Sequence, residues 1–475
     1  MKPVYTIINK IFPFLEFSIL LQETQDYNYP IYLKRLFSKK YRYFLKRDFR
    51  KGKKNKISIR NVLTVLIALT IFIILSVFVF QSNLLTIYKL FFFILLTIFI
   101  PIIVLIANLP TALFRLYYIF LISKARKKIK KNNTKIIAIT GSTGKTTTRK
   151  MLVKILEDHG SVLSTSSNYN SLWGNAKLLS KYKNEKYVVL EFAMDSPGHV
   201  ALQSNIIKPD LGAVLNVGYV HMENIGSIEK IYEGKKALAD FLLKHQKPVV
   251  INTDDQWLNK IVETGKPDIV TYGYDSQDCQ LIKSENGKDG LSISFSYKDK
   301  IYNGHIPIYG KDFAYNILAA IALAKISGIE IEDSLKSLSL FKSEDGRFEI
   351  IDIKEGVKIV NDAYNANPTS MKMSIETFND VFDKEKYNRI VILGDMKELG
   401  EVSREQHKLL GELVRSKGFD KVYYIGDYYK DFNFGERLNT WQEAKEIIDN
   451  LENDEKDISI LLKASHSIGL FNILL

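Results

Sequence analysis

Lys135 to Thr140 reads Lys-Ile-Ile-Ala-Ile-Thr and ends at Gly141-Ser142-Thr143-Gly144-Lys145-Thr146-Thr147, after which a helical pattern runs to Gly160. A buried strand, a glycine turn and a helix start form a phosphate cradle. Backbone N–H groups face the anion there, and the helix N-terminus adds partial positive charge. In that setting Lys145 reaches the outer phosphates of a nucleotide, and the Thr146 hydroxyl can ligate magnesium. Strict Walker spacing would put glycine at 139, where Ile139 stands; the strand-to-helix context keeps the phosphate reading.

Two further groups stand at strand ends. Glu191 closes the apolar run in KYVVLEFAMDSPGHV, and His221 lies just beyond another in LGAVLNVGYVHMENIGS. Open α/β sheets bind ligands at the carboxyl edge of their strands, so both side chains belong beside the phosphate loop, where a carboxylate and an imidazole suit a divalent metal. From Lys135 onward, short β-branched runs alternate with helical stretches. That pattern predicts an α/β fold with parallel sheets and crossover helices.

Charge and hydropathy set the front of the chain apart. The first 135 residues hold 24 Lys and Arg against 4 acids, so the overall formal charge of +13 leaves the remaining 340 residues at −7. No basic patch with interleaved aromatics occurs in that body, which argues against a nucleic-acid partner. Residues 62–80 and 90–107 are uncharged runs of 19 and 18 residues, each near the length that spans a bilayer. Basic stretches at 50–60 and 124–131 flank them. The positive-inside rule then predicts a multi-pass cell-membrane protein with two spans and cytoplasmic catalytic domains. The single cysteine, Cys279, excludes an internal disulfide and fits a reducing compartment.

The body resembles the Mur ligase family, ATP-dependent amide-forming enzymes of peptidoglycan precursor synthesis, and is most similar to the F-type members that add D-alanyl-D-alanine. The resemblance runs from about Lys135 to Lys463. It rests on ITGSTGKTT, NYNSLWG (Asn168 to Gly174), LEFAMDSPG, NVGYVHMENIGS, INTDD (Ile251 to Asp255), DGRFEI (Asp345 to Ile350), NDAYNANPTSM (Asn361 to Met371) and LGDMKELG (Leu393 to Gly400). It implies that ATP converts a substrate carboxylate to an acyl phosphate, which an amine attacks. By the same resemblance Gly141 to Thr147, Asn316, Arg347 and Asp362 bind ATP. Thr146, Glu191, His221 and a carbamylated Lys235 serve magnesium, with Lys145, Glu191, His221 and Lys235 catalytic. Asn168, Asn170, Asn365 and Lys463 face the substrate.

The implied architecture is a basic amphipathic segment (1–60), two transmembrane helices (61–110), a basic linker (111–131), a P-loop ATPase domain (132–340) and a Rossmann-like C-terminal domain (341–475). Three departures from the family pattern stand out. The hairpin replaces the usual UDP-sugar-binding domain, Asp312-Phe313 replaces His-Asn, and Lys463-Ala-Ser-His466 replaces Lys-Gly-Ser-Arg. The expected partners are therefore a nucleotide-linked or lipid-linked peptide, an amino acid or dipeptide, and the membrane. The alternatives are a ligase for another envelope polymer, such as pseudomurein or a poly-amino-acid, and a non-catalytic, regulatory ATP-binding membrane protein.

Overall fold

The computed structural model describes residues 59–81, a few positions between 85 and 91, and 109–474 apart from 166–169, 195, 288, 343–345, 430–431 and 452–455. The chain divides into two units, Met1–Phe120 and Leu121–Leu475.

Among the described residues, the helices α1 (Ile59–Gln81) and α2 (Leu109–Lys131) precede the sheets. The expected transmembrane hairpin, and the cell-membrane location built on it, are not upheld: among the described residues no helix is long and apolar enough to cross a membrane. Apart from Phe91, the second predicted span and the whole basic segment before residue 59 lie outside the described residues. The end of the predicted linker belongs to α2. Its Ile122, Ala125 and Ile129 are buried at the spacing of one helical face.

The first sheet has nine strands: β1 (Lys135–Thr140), β2 (Val162–Ser164), β3 (Tyr187–Glu191), β4 (Leu211–Val214), β5 (Val249–Asn252), β6 (Ile269–Gly273), β7 (Cys279–Gly287), β8 (Gly290–Tyr297) and β9 (Lys300–Ile306). Their order is β2-β3-β1-β4-β5-β6-β7-β8-β9, parallel as far as β7 and antiparallel beyond it. The crossovers are α3 (Lys145–Glu157), α4 (Leu172–Leu179), α5 (His199–Ile207), the short α6 (Met222–Ile225), α7 (Ile228–Lys244) and α8 (Asn259–Val262); α9 (Phe313–Ile326) and α10 (Ile331–Leu338) follow the last strand. The parallel strands β1, β3, β4 and β5 are apolar on both faces because helices cover both. On α3 the side chains of Met151, Leu152, Ile155 and Leu156 are fully buried. Helix α9 packs against α3 and the sheet, and ten of its fourteen residues are buried, which explains its apolar run ILAAIALA without any membrane role.

The second sheet has six strands: β10 (Glu349–Lys354), β11 (Val357–Asn361), β12 (Tyr387–Gly394), β13 (Lys421–Ile425), β14 (Glu436–Leu438) and β15 (Asp457–Lys463), in the order β10-β11-β15-β12-β13-β14. Only β10 runs antiparallel to its neighbour. Helices α11 (Pro368–Val381), α12 (Ser403–Lys417) and α13 (Trp441–Asp449) connect these strands. Asn367 caps α11 by accepting from the Ser370 N–H at 2.9 Å, with Pro368 at the first helical position. Part of the DAYNANP motif is thus helix-start chemistry. Tyr219, Tyr309 and Phe313, from the segment built on the first sheet, pack against the second core, and Lys311 pairs with Asp380 at 2.8 Å.

Candidate active site

Strand order gathers the site. β1 lies between β3 and β4, so the chain leaves it at a switch point where a crevice opens at the strands' carboxyl ends. Ile139 is level with Glu191 on β3, and Thr140 with Val214 on β4. The phosphate loop, Glu191 and the loop from Leu215 to His221 therefore meet at one edge. Gly141 is required by closeness, since a Cβ there would lie 2.9 Å from Leu215 Cβ. Gly144 is required by conformation, with φ +77° as the backbone turns into α3.

Lys145 folds back on its own loop, donating to Gly141 O at 2.6 Å and to Ser142 O at 3.3 Å. Thr146 Oγ1 donates to Glu191 Oε2 at 3.1 Å, and Arg149 Nε donates to Glu191 Oε1 at 2.7 Å. Glu191 and Arg149 are both almost wholly buried, so the carboxylate is held as an oriented anion beneath the loop. Among the described residues, no three His, Cys, Asp or Glu side chains gather into a metal cage. The oxygen pair of Thr146 and Glu191 nevertheless fits magnesium, which takes one or two carboxylates and completes its shell with water and phosphate oxygens.

The other expected residues are distributed as follows. Asn316, on α9, turns its amide under the phosphate loop, donating to Gly144 O at 3.3 Å and Thr148 Oγ1 at 3.0 Å. His221, in a left-handed backbone conformation, has Nδ1 2.7 Å from Glu398 Oε2, which joins the two sheet segments. Lys235 is buried on α7. Arg347 lies over the Tyr364 ring at 4.7 Å and lines a small cavity with Thr147, Lys150, Tyr309, Phe313 and Phe348. One cavity thus brings an arginine of the second-sheet segment to the helix that follows the phosphate loop.

At the carboxyl edge of the second sheet, Lys463 Nζ is 2.7 Å from Asp362 Oδ2. Burial depresses the Lys463 ammonium's pKa, against the pull of Asp362, and Arg347 pushes it lower still. Lys463 therefore holds Asp362 from within rather than reaching outward. Asn365 is exposed and accepts from the Ala366 N–H at 2.9 Å. Asn170 contributes its carbonyl to the Ala193 N–H at 3.0 Å, and Asn168 lies outside the described residues.

Sequence reasoning missed three residues. Arg149 sits one turn after Lys145, a spacing that puts both on one helix face. Asn216 Oδ1 accepts from the N–H groups of Ser142 at 3.0 Å and Thr143 at 2.8 Å. Asp255 accepts from the Val217 N–H at 2.8 Å. Only Arg149 carried a signal in local spacing.

Residues 139–324 match the Mur ligase middle domain, and residues 346–466 match the Mur ligase glutamate ligase domain. The UDP-N-acetylmuramoyl-tripeptide–D-alanyl-D-alanine ligase of Bacillus subtilis is 32% identical over 360 residues, covering 74% of this chain and 77% of that protein. The chain belongs to the Mur ligase family. The ligase of the same name from Borreliella burgdorferi is 32% identical over 359 residues, covering 73% of this chain and 75% of its own length. Among solved structures, MurF ligase from Thermotoga maritima in complex with ADP has 29% identity and a TM-score of 0.67, covering 75% of this chain and 82% of that one. MurF from Acinetobacter baumannii has 25% identity and a TM-score of 0.68, covering 74% and 79%. The expectation of an ATP-dependent, peptide-bond-forming ligase of the acid–amino-acid class is borne out by this membership.

Proposed function

We propose that this Mur ligase joins the amino group of D-alanyl-D-alanine to the carboxyl end of a UDP-N-acetylmuramoyl-tripeptide. The observation that carries the reading is its 32% identity, across three-quarters of both chains, to the Bacillus subtilis ligase of that name. The phosphate loop, Glu191 and the 215–221 loop at one sheet edge supply the matching chemistry. A pseudomurein peptide ligase from Methanothermus fervidus shares the fold at 18% identity, which gives that alternative less support.

The residues divide the work as follows. Lys145 exchanges its loop carbonyls for the outer phosphate oxygens of ATP, cradled by the amides from Gly144 to Thr147, while Arg347 approaches from the second segment. Thr146 and Glu191, together with His221 and Lys235, would hold magnesium, which would neutralise charge on the phosphates. The tripeptide carboxylate attacks the γ-phosphorus, breaking its bond to the bridging oxygen and releasing ADP. The dipeptide amine then attacks the acyl carbon, and the tetrahedral adduct loses a proton and expels phosphate as the amide forms. Positioning and electrostatics do most of this, which suits a site of fixed dipoles and cations. Lys235, buried on α7 fourteen residues past His221, stands where the family resemblance implies a carbamylated lysine. Asn170, Asn365 and Lys463 are assigned to the substrate side, and Asp362, held by Lys463 at 2.7 Å, to the nucleotide.

Phosphate release from ATP and magnesium tests this. It should require both the UDP-linked tripeptide and D-alanyl-D-alanine. Release only with a lipid-linked peptide, or only with another amine, would overturn the substrate assignment while keeping the chemistry.

A further inference from the structure

The INTDD segment carries none of the roles assigned above, yet its two aspartates bind the elements that flank the phosphate loop on either side. On one side, Asp255 Oδ2 accepts from Val217 N–H at 2.8 Å, while its Oδ1 accepts from Trp257 and Leu258 at 2.9 and 3.1 Å. The carboxylate is thus pinned to its own turn and holds the residue next to Asn216. Asn216 Oδ1 then binds the Ser142 and Thr143 amides, and Ser142 Oγ bridges Gly218 N at 2.8 Å and Gly218 O at 3.1 Å. On the other side, Asp254 Oδ2 accepts from Tyr315 OH and from Tyr274 N–H, each at 2.8 Å. Tyr315 adjoins Asn316, whose amide reaches Gly144 O and Thr148 Oγ1.

We propose that Asp254 and Asp255 brace the phosphate loop from its two flanks, Asp255 acting through Asn216 and Asp254 through Tyr315 and Asn316, so that the loop is shaped before nucleotide arrives. Asn216 takes the Ser142 and Thr143 amides out of anion binding and leaves those from Gly144 to Thr147 for the phosphates. Asp254, Asp255, Asn216 and Tyr315 are positioning residues. Without the brace, nucleotide binding must also order the loop, and that cost appears as lost affinity. The Asp255 arm is the more sheltered and carries the larger effect; the Asp254–Tyr315 bond is exposed.

The inference rests on nucleotide binding at residues 141–147, and calorimetric titration of the full chain with ADP and magnesium separates the two. Wild-type protein that binds no ADP would sink the nucleotide reading itself. Given wild-type binding, Asn216→Ala and Asp255→Ala should each weaken ADP about tenfold, from the loss of one or two hydrogen bonds. The double variant should be no weaker than the worse single one, because both changes cut the same chain of contacts. Tyr315→Phe should weaken ADP only about two- to threefold. In turnover, KM for ATP should rise in the Asn216 and Asp255 variants while KM for the dipeptide holds. Should Asn216→Ala not fold, Asn216→Ser replaces it, and amide exchange of residues 138–147 in nucleotide-free Asp255→Ala should be faster than in wild type. Unchanged affinity, multiplicative losses in the double variant or unchanged exchange would overturn the proposal. So would tighter ADP binding by Asn216→Ala, because it would make the Ser142 and Thr143 amides phosphate ligands and Asn216 their competitor.

Discussion

The ion pair beneath the phosphate loop offers a test that does not depend on turnover. Arg149→Met removes a guanidinium whose side chain is 4% exposed from a carboxylate that is 2% exposed. It deletes the 2.7 Å bond to Glu191 and the 3.1 Å bond to Ser164 Oγ, and leaves the Glu191 charge buried with only the Thr146 hydroxyl against it. Breaking a buried pair from one side typically costs about 3–5 kcal/mol. The lower end applies here, because Arg149 Nη2 has no hydrogen-bond partner and the pair is already incompletely satisfied. Denaturant unfolding followed by circular dichroism should therefore show a loss of ~3 kcal/mol in the transition of the first-sheet segment. Arg149→Lys keeps the charge but loses the planar fork, and should fall between wild type and Arg149→Met. Arg149→Met/Glu191→Met removes both charges and should be more stable than Arg149→Met alone. A single variant within about 0.5 kcal/mol of wild type, or a double variant less stable than the single, would refute the claim that Arg149 holds Glu191 as a buried anion.

Three further outcomes follow from the same geometry. Gly144→Ala must accommodate φ +77° and a Cβ 2.2 Å from Asn316 Nδ2, so ADP affinity should fall at least tenfold by calorimetry; unchanged affinity would mean that the loop relaxes freely. Burial pushes the Cys279 thiol up to about 12. Its unfolded-state value is lower, so the unfolded chain releases the proton first, and stability present below about pH 9 is lost as pH climbs towards 12, by up to ~1.4 kcal/mol per pH unit. Cys279→Ala should flatten that alkaline slope, and an unchanged slope would contradict it. Lys235→Ala should lose turnover and regain part of it with millimolar short-chain carboxylates, which supply the anion of a carbamate; full activity without them would remove that role.

What the sequence could disclose follows from how local each feature is. Strand, glycine turn and helix start are contiguous, so the phosphate loop is readable from periodicity and residue type, and Glu191 from its place at a strand end. Asn216 is not, because its function depends on which residues β1 and β4 bring level, and an asparagine just past a strand reads as a turn former. Asp255 acts on a loop 38 residues away, a separation over which no spacing rule operates. The antiparallel extension β7–β9 also escapes an expectation of parallel crossovers, since hairpin strands alternate in burial and offer shorter apolar runs.

The apolar front of the chain shows the converse problem. Hydropathy reads composition and length, and two uncharged runs between basic flanks meet every local requirement for a membrane hairpin. Helix α9 meets part of the same requirement and is a core helix: ten of its fourteen residues are buried by α3 and the sheet. A helix apolar all round thus reports that its surface is covered, and the covering partner is fixed by tertiary placement rather than by the run itself. For α9 that partner is the nucleotide domain, and the arrangement has a consequence for function. Because α9 is locked in the core, Asn316 reaches Gly144 and Thr148 from a rigid element, so the phosphate loop takes its shape from the same packing that stabilises the domain.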